Sequence, residues 1–225
     1  MNDLPITLPI FPLTGAILLP RGHLPLNIFE PRYKKMIEDA RKNEGVIGMI
    51  QPSKMAISST IENNDNFGTA NKDPDLYNIG CVGLISNFEE TANGQYFIIL
   101  TGLRRFRITE EIATTTPYRQ IKADYSEFIQ DAAEPDIGQI KTTDSFFSAL
   151  KQYLNAMDIK IDLNAFEDLA DEELINSLAM VCPFDAAEKQ LLLECGALKD
   201  RVSLMMKIMD FKLPQDGISF DQHIH

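Results

Sequence analysis

"LPLNIFEPRYKKMIEDARK", Leu24 to Lys42, changes period at its centre. Before Glu30 it reads as a strand broken by Pro25; after Pro31 the residues Tyr33, Met36, Ile37 and Ala40 recur at helical spacing, with Lys34, Lys35, Glu38 and Asp39 on the other face. Pro31 suits a first helical position, where the missing N–H would have had no partner. Glu30 places a carboxylate at the helix's positive end. The stretch predicts a bent strand running into one short packed helix. Two readings of the Glu30-Pro31-Arg32-Tyr33 corner follow. In the structural one Tyr33 packs inward and Arg32 ties the corner to a carboxylate or carbonyl. In the functional one Arg32 and Tyr33 border a groove that grips a peptide carbonyl and an apolar side chain, and Phe29 joins them in the peptide-binding set. The structural reading is preferred.

Upstream, half of the 12 prolines fall in the first 31 residues. Proline donates no ladder hydrogen bond, so such strands belong at edges, corners and bulges, as in a small bent barrel. Downstream, GVIGMIQP (45–52) reads as a buried strand, and the Ser/Asn/Asp-rich segment 53–76 as a long exposed loop. Strand signals resume in YNIGCVGLISNFEET. They pass a turn at Asn93-Gly94, where both residues tolerate positive φ, and continue through QYFIILTGLRRFRITEEI and YRQIKADYSEF. Gly102 marks a bulge or corner in the long run.

From residue 135 the pattern is helical. Ile140, Thr143, Phe147, Leu150, Leu154 and Met157 outline a first stripe; Leu174, Ile175, Leu178, Val181 and Cys182 outline a second, stopped by Pro183. Asp185 and Glu188 form a capping box for a third helix ending near Gly196. Leu198, Val202, Met205 and Met209 line a fourth that ends before Pro214. The expected organisation is a β domain over 1–130, an acidic helical bundle over 131–213 and a loosely held tail over 214–225.

Composition narrows the classes. The chain of 225 residues is 44% hydrophobic and 24% charged, ordinary for a globular protein with a real core. Its net charge of -12 is concentrated beyond residue 130, an arrangement that repels phosphate backbones and anionic lipid. Neither nucleic acid nor membrane is therefore an expected partner. The Pro-interrupted N-terminus resembles no signal peptide, and no apolar run approaches the roughly 18 residues of a membrane helix. Three scattered cysteines without a CxxC pair fit a reducing compartment, so a cytoplasmic location is expected.

LPIFPLTGAILLPRGHLPLNIFEPRY resembles the opening of the N-terminal substrate-binding domain of Lon proteases. IGMIQP is similar to that domain's next strand, YNIGCVGLISNFEET with FIILTGLRRFRI to its later hairpin, and LINSLAMVCPFDAAEKQLLLE to its helices; the likeness covers most of residues 4–211. The resemblance implies an α+β chain: a PUA-like small β-barrel with one short packed helix, then a C-terminal helical bundle. It also implies a non-catalytic module that binds unfolded or damaged polypeptide or a protein partner. Two departures stand out: the 53–76 segment is longer than the family's pattern, and the chain stops where a full-length protease would continue into its motor.

The chemistry of such a protease is not legible here. A phosphate-cradling G-x-x-x-x-G-K-[ST] loop requires a Gly-Lys pair, and the sequence has none. No Ser and Lys sit in the Gly-rich context of a Ser-Lys peptidase, and His23, His223 and His225 belong to no H-E-x-x-H or G-x-S-x-G motif. We therefore expect no catalytic residue, metal or cofactor. Arg104, Arg105 and Arg107 form a short basic cluster, but alternation splits it between two faces, so a salt-bridged strand is preferred to an RNA contact. Met205, Met206 and Met209 are core candidates that would also suit promiscuous apolar recognition, which adds them to the peptide-binding set. Cys182 and Cys195 read as buried small apolar residues. An RNA-binding PUA-like protein, a small-molecule or catalytic derivative using an inter-domain groove, and weak homo-oligomerisation remain as alternatives.

Overall fold

Pro31 does open a helix: α1 spans Pro31–Lys42 and buries Tyr33, Met36, Ile37 and Ala40, the four positions its spacing marks. Glu30 holds the N-cap position in an extended conformation without capping a backbone amide. Its carboxylate lies instead 3.0 Å from the Arg32 guanidinium. The computed structural model describes residues 4–53, 74–133, 144–161 and 169–213. The 53–76 loop is therefore outside the described residues except at its ends, as are Ile140, Thr143 and the expected tail.

The remaining elements are β1 (Thr7–Pro12), β2 (His23–Ile28), β3 (Val46–Ile50), β4 (Ile79–Glu90), β5 (Tyr96–Ile112) and β6 (Gln120–Asp124). A 3-10 helix (Ser126–Ala132) follows, then α2 (Asp144–Ala156), α3 (Asp171–Val181), α4 (Ala186–Glu194) and α5 (Leu198–Lys212). The fold is mixed α+β. Its six strands run in the order β2-β5-β4-β3-β1-β6, and β6 also pairs with β5. The pairings β5–β4–β3–β1–β6 thus return to β5, and among the described strands only β2 has a single neighbour.

The prolines sit where the ladder changes hands. The first half of β1 pairs antiparallel with β6 up to Pro9↔Gln120, and the second half pairs parallel with β3 from Ile10↔Gly48. Pro9 falls at that exchange, where a missing donor costs least. Pro25 lies on β2, the strand with one free edge. Inside the ring Leu8, Ile10, Val82, Phe106 and Ile121 are fully buried. Gly48 and Gly80 make room for them: an added Cβ would lie 3.1 Å and 2.6 Å from the Phe106 ring.

Gly102 is indeed a corner. The register of β4 on β5 slips between Val82↔Arg104 and Gly83↔Gly102, leaving Leu103 as the extra residue of a bulge. The incoming chain presses on this point, with Arg21 N donating to Gly102 O at 2.8 Å and Gly102 N to Gly22 O at 2.9 Å. A Cβ at Gly102 would lie 2.0 Å from Leu19 O. The β4–β5 connection is a turn in which Gly94 N donates to Thr91 O at 2.8 Å. Only Gly94 of the Asn-Gly pair takes positive φ, at 70°.

The helices continue the core of the strands. One cluster runs from Phe11, Ile17 and Leu18 through Tyr33 and Met36 to Phe146, Leu178, Leu192 and Met209, so the two halves share buried surface across residue 130. Polar ties cross the same seam. Gln51 Nε2 donates to Ala186 O at 2.9 Å, and Gln190 Nε2 to Ile79 O at 3.1 Å. Asn176 Nδ2 donates to Pro20 O at 2.8 Å. The Lys189 ammonium reaches Gly15 O at 3.0 Å and Met180 O at 2.9 Å, and burial pushes its pKa below the ordinary lysine value.

Three expectations for the helices need correction. Helix α2 buries Phe146, Leu150, Tyr153 and Leu154, so its inward face is rotated from the predicted stripe: Phe147 is half-buried, and Met157, just beyond the helix, is 37% exposed. Val181 is 51% exposed, because α3 turns Leu174, Ile175, Leu178 and Ala179 inward. Cys195 is partly exposed, while Cys182 is buried. The α4 capping box is present, with Glu188 N donating to Asp185 Oδ1 at 2.9 Å and Asp185 N to Glu188 Oε2 at 2.7 Å.

Candidate functional site

The Glu30–Tyr33 corner borders a groove of ≈ 340 Å³ whose walls include Pro12, Arg32, Tyr33, Pro52, Tyr118 and Arg119. Each wall has a structural reason to be there. Tyr33 points inward from the first turn of α1 and meets Phe11 edge-on, with ring centroids 4.3 Å apart. The Arg32 guanidinium lies 4.6 Å from the Tyr33 ring centroid, within cation–π range. Arg119 forks onto Glu111 with two contacts of 2.6 Å and donates to Pro74 O at 2.8 Å. The Tyr118 hydroxyl donates to Asp39 Oδ2 at 3.0 Å. Burial, then this bond, pushes the phenol up to about 12. The Lys35 ammonium 2.6 Å from Asp39 holds that carboxyl below its ordinary value.

Pro12 and Pro52 are the half-buried parts of this wall and Arg32 is exposed, whereas the Tyr33 and Tyr118 rings are buried, at 7% and 8% exposure. Among the described residues no three His, Cys, Asp or Glu side chains cluster as a metal site. Nor is any helix of the described residues long and apolar enough to cross a membrane.

The six peptide-binding candidates are not brought together. Arg32 and Tyr33 line the groove. Phe29 stands just before α1 and is 65% exposed. Met205 and Met209 are fully buried in the main core, a packing role, and the half-buried Met206 rests against the same cluster. None of the three methionines lines the groove.

Sequence reasoning missed a second depression, of ≈ 500 Å³, at the β5 corner, where Arg21, His23, Leu103, Arg104, Asp131 and Glu173 meet. The three arginines of β5 take different environments there. Arg107 forks onto Glu127 on the surface, at 2.5 Å and 2.8 Å. Arg105 is buried, forks onto Asp131 at 2.9 Å and 2.7 Å, and reaches Leu193 O at 3.1 Å and Cys195 O at 2.5 Å. Arg104 belongs to the depression. The salt-bridged reading therefore describes Arg105 and Arg107 but not Arg104. Spacing carried no signal of this, since the partners lie on elements remote in sequence.

Comparisons with known proteins agree with this architecture. The chain is 24% identical over 215 residues to Lon protease of Anaeromyxobacter dehalogenans, covering 94% of this chain and 24% of that protein. It is 27% identical over 223 residues to Lon protease of Flavobacterium johnsoniae, covering 94% and 25%. The chain thus spans about a quarter of the length of these curated relatives. Its fold matches a Lon N-terminal domain protein from Xanthomonas campestris with a TM-score of 0.56 at 17% identity, covering 89% of this chain and 97% of that one. It also matches the N-terminal domain of Mycobacterium avium complex Lon protease, with a TM-score of 0.56 at 14% identity and coverage of 92% and 100%. Residues 7–210 match the family described as the ATP-dependent protease La (LON) substrate-binding domain, and the chain belongs to that family.

Proposed function

We propose that this chain is a non-catalytic polypeptide receptor, in which the strand ring works as a PUA-like barrel and the C-terminal helices as a supporting bundle. The observation that carries this reading is the match to a substrate-binding domain over residues 7–210. The groove at the Glu30–Tyr33 corner supports it. Arg32 spends its Nε on Glu30 at the surface and presents the rest of its guanidinium beside Tyr33. An extended segment of an unfolded or damaged client lays an apolar side chain against Pro12 and Pro52 while Arg32, seated on the buried Tyr33 ring, takes a backbone carbonyl. The exposed Phe29 and the open edge of β2 extend the contact, since an unpaired strand edge accepts a peptide through main-chain hydrogen bonds. One such side chain contributes roughly 1.5–3 kcal/mol on full burial, which makes binding weak and tolerant of sequence. No bond is broken.

The test is an array of decamer peptides, apolar and polar, probed with the purified chain. Enrichment for apolar extended segments is expected. Uniform absence of binding, or binding that follows charge alone, contradicts the proposal.

A further inference from the structure

The second depression contains a cation that the fold leaves unanswered. Arg104 Nε is buried and has no hydrogen-bond partner, the single such side-chain nitrogen or oxygen among the described residues. Buried polar groups are almost always paired, and an orphan calls for an explanation. The neighbouring carboxylates do not provide one. Asp131 lines the same depression, but Arg105 engages both of its oxygens, at 2.9 Å and 2.7 Å. Glu173 also lines it, yet no ion pair joins it to Arg104 among the described residues. Arg21 is tied elsewhere, with one guanidinium nitrogen 2.7 Å from Glu172 and another donating to Ala133 O. His23 Nδ1 is 3.0 Å from Thr101 Oγ1. Every other guanidinium at this corner has a partner.

We propose that the Arg104 depression is a carboxylate-binding site, separate from the groove at Tyr33. The class of anion follows from the surroundings. The enclosed Nε is the orphan atom, but Arg104 as a whole is half-buried and lines the depression, so it is the terminal end of the guanidinium that would meet a planar monoanion through paired N–H donors, while Asp131 and Glu173 in the same walls repel a dianion such as phosphate more strongly. Leu4 and Leu103 add apolar wall, and ≈ 500 Å³ is room for more than the carboxylate alone. The ligand is thus a carboxylate borne on an apolar residue or short segment. That it belongs to a polypeptide rests on the receptor function proposed above. Its source is either a chain-terminal carboxylate or an acidic side chain within the client.

The experiment titrates the isotope-labelled full chain with N-acetylleucine and with N-acetylleucinamide. It follows by NMR the Arg104 Nε–Hε resonance, assigned by its loss in Arg104→Gln, and the amides of residues 101–104. The acid shifts these signals and binds at least about tenfold more tightly than the amide, as a charge-assisted bond implies. Arg104→Gln abolishes the difference and Arg104→Lys restores part of it, while the thermal midpoint reports whether each variant folds. Two amidated hexapeptides of alanine and leucine, with and without an internal glutamate, and one with a free C-terminus then separate the two sources. Equal response to acid and amide, no response to either, or a preference that survives Arg104→Gln in a folded protein overturns the site. Failure of the decamer array with success of the acid titration overturns the receptor reading alone.

Discussion

Removing the Asp131 carboxylate isolates the contribution of the buried ion pair that joins the strands to the helices. In Asp131→Ala the Arg105 guanidinium, whose side chain is 5% exposed against 7% for Asp131, loses both forked contacts, and the Arg105 backbone amide loses its 2.9 Å acceptor as well. Breaking one side of a buried pair costs roughly 3–5 kcal/mol, most of it the stranded charge. The carbonyls of Leu193 and Cys195 still receive Nη1, which puts the expected loss near the lower end, about 3 kcal/mol. A domain of this size shifts its midpoint by roughly 2–4 °C per kcal/mol, so Tm falls by about 6–12 °C. An internal control lies on the same 3-10 helix. Glu127 accepts an equivalent fork from Arg107, but with side chains 47% and 38% exposed, and Glu127→Ala costs no more than about 1 kcal/mol. Urea unfolding followed by far-ultraviolet circular dichroism suits a chain without tryptophan. Losses of similar size for the two variants, or less than about 1 kcal/mol for Asp131→Ala, would refute the reasoning that burial distinguishes the pairs.

Gly102→Ala drives a Cβ to within 2.0 Å of Leu19 O; because the obstacle is backbone, the loss lies at or above the top of the roughly 1–3 kcal/mol range for overpacking. Gly94→Ala meets open space at φ +70° and loses only about 1 kcal/mol, so equal urea midpoints for the two would contradict the close approach. Tyr118, Tyr125 and Tyr153 have phenols pushed up to about 12 from the ordinary 10, each chiefly by burial. A raised folded-state pKa means stability that is complete below about pH 10, where the unfolded phenol is still protonated, and is lost as pH rises towards 12. Tyrosinate absorbance of the folded protein should accordingly still be rising as the pH approaches 12, with urea midpoints falling over the same window; ionisation complete near pH 10 would exclude the shift.

The parts of the fold legible in the sequence are those whose causes are local. Helix α1 was readable because Pro31 and the Tyr33-Met36-Ile37-Ala40 spacing specify a start and a face within twelve residues. The Asp185–Glu188 box was readable because it closes on itself. The Gly102 corner was readable as an interruption, although the Leu19–Gly22 segment that presses on it was not. The face of α2 failed because Phe146 and Phe147 are adjacent and apolar residues lie on both sides, so the partners decide the phase. The candidate site was legible by half: Arg32 and Tyr33 follow from the corner, whereas Met205 and Met209 carry the same composition in a core as on a surface. The buried charges were least legible. Nothing in RRFR distinguishes Arg105, enclosed by Asp131 and the end of α4, from Arg104 one residue before it; only long-range contacts make one a strut and leave the other unpaired.

The most direct test of the receptor function is the affinity of a fluorescein-labelled apolar decamer, measured by anisotropy for the native chain and for Phe29→Ser/Arg32→Ala, a pair of exposed changes that spare the core. The account predicts measurable binding by the native chain, at least about tenfold weaker binding by the variant, and unchanged thermal stability. Equal binding by both proteins would place polypeptide recognition away from this corner, and no binding by a folded native chain would contradict the receptor function itself.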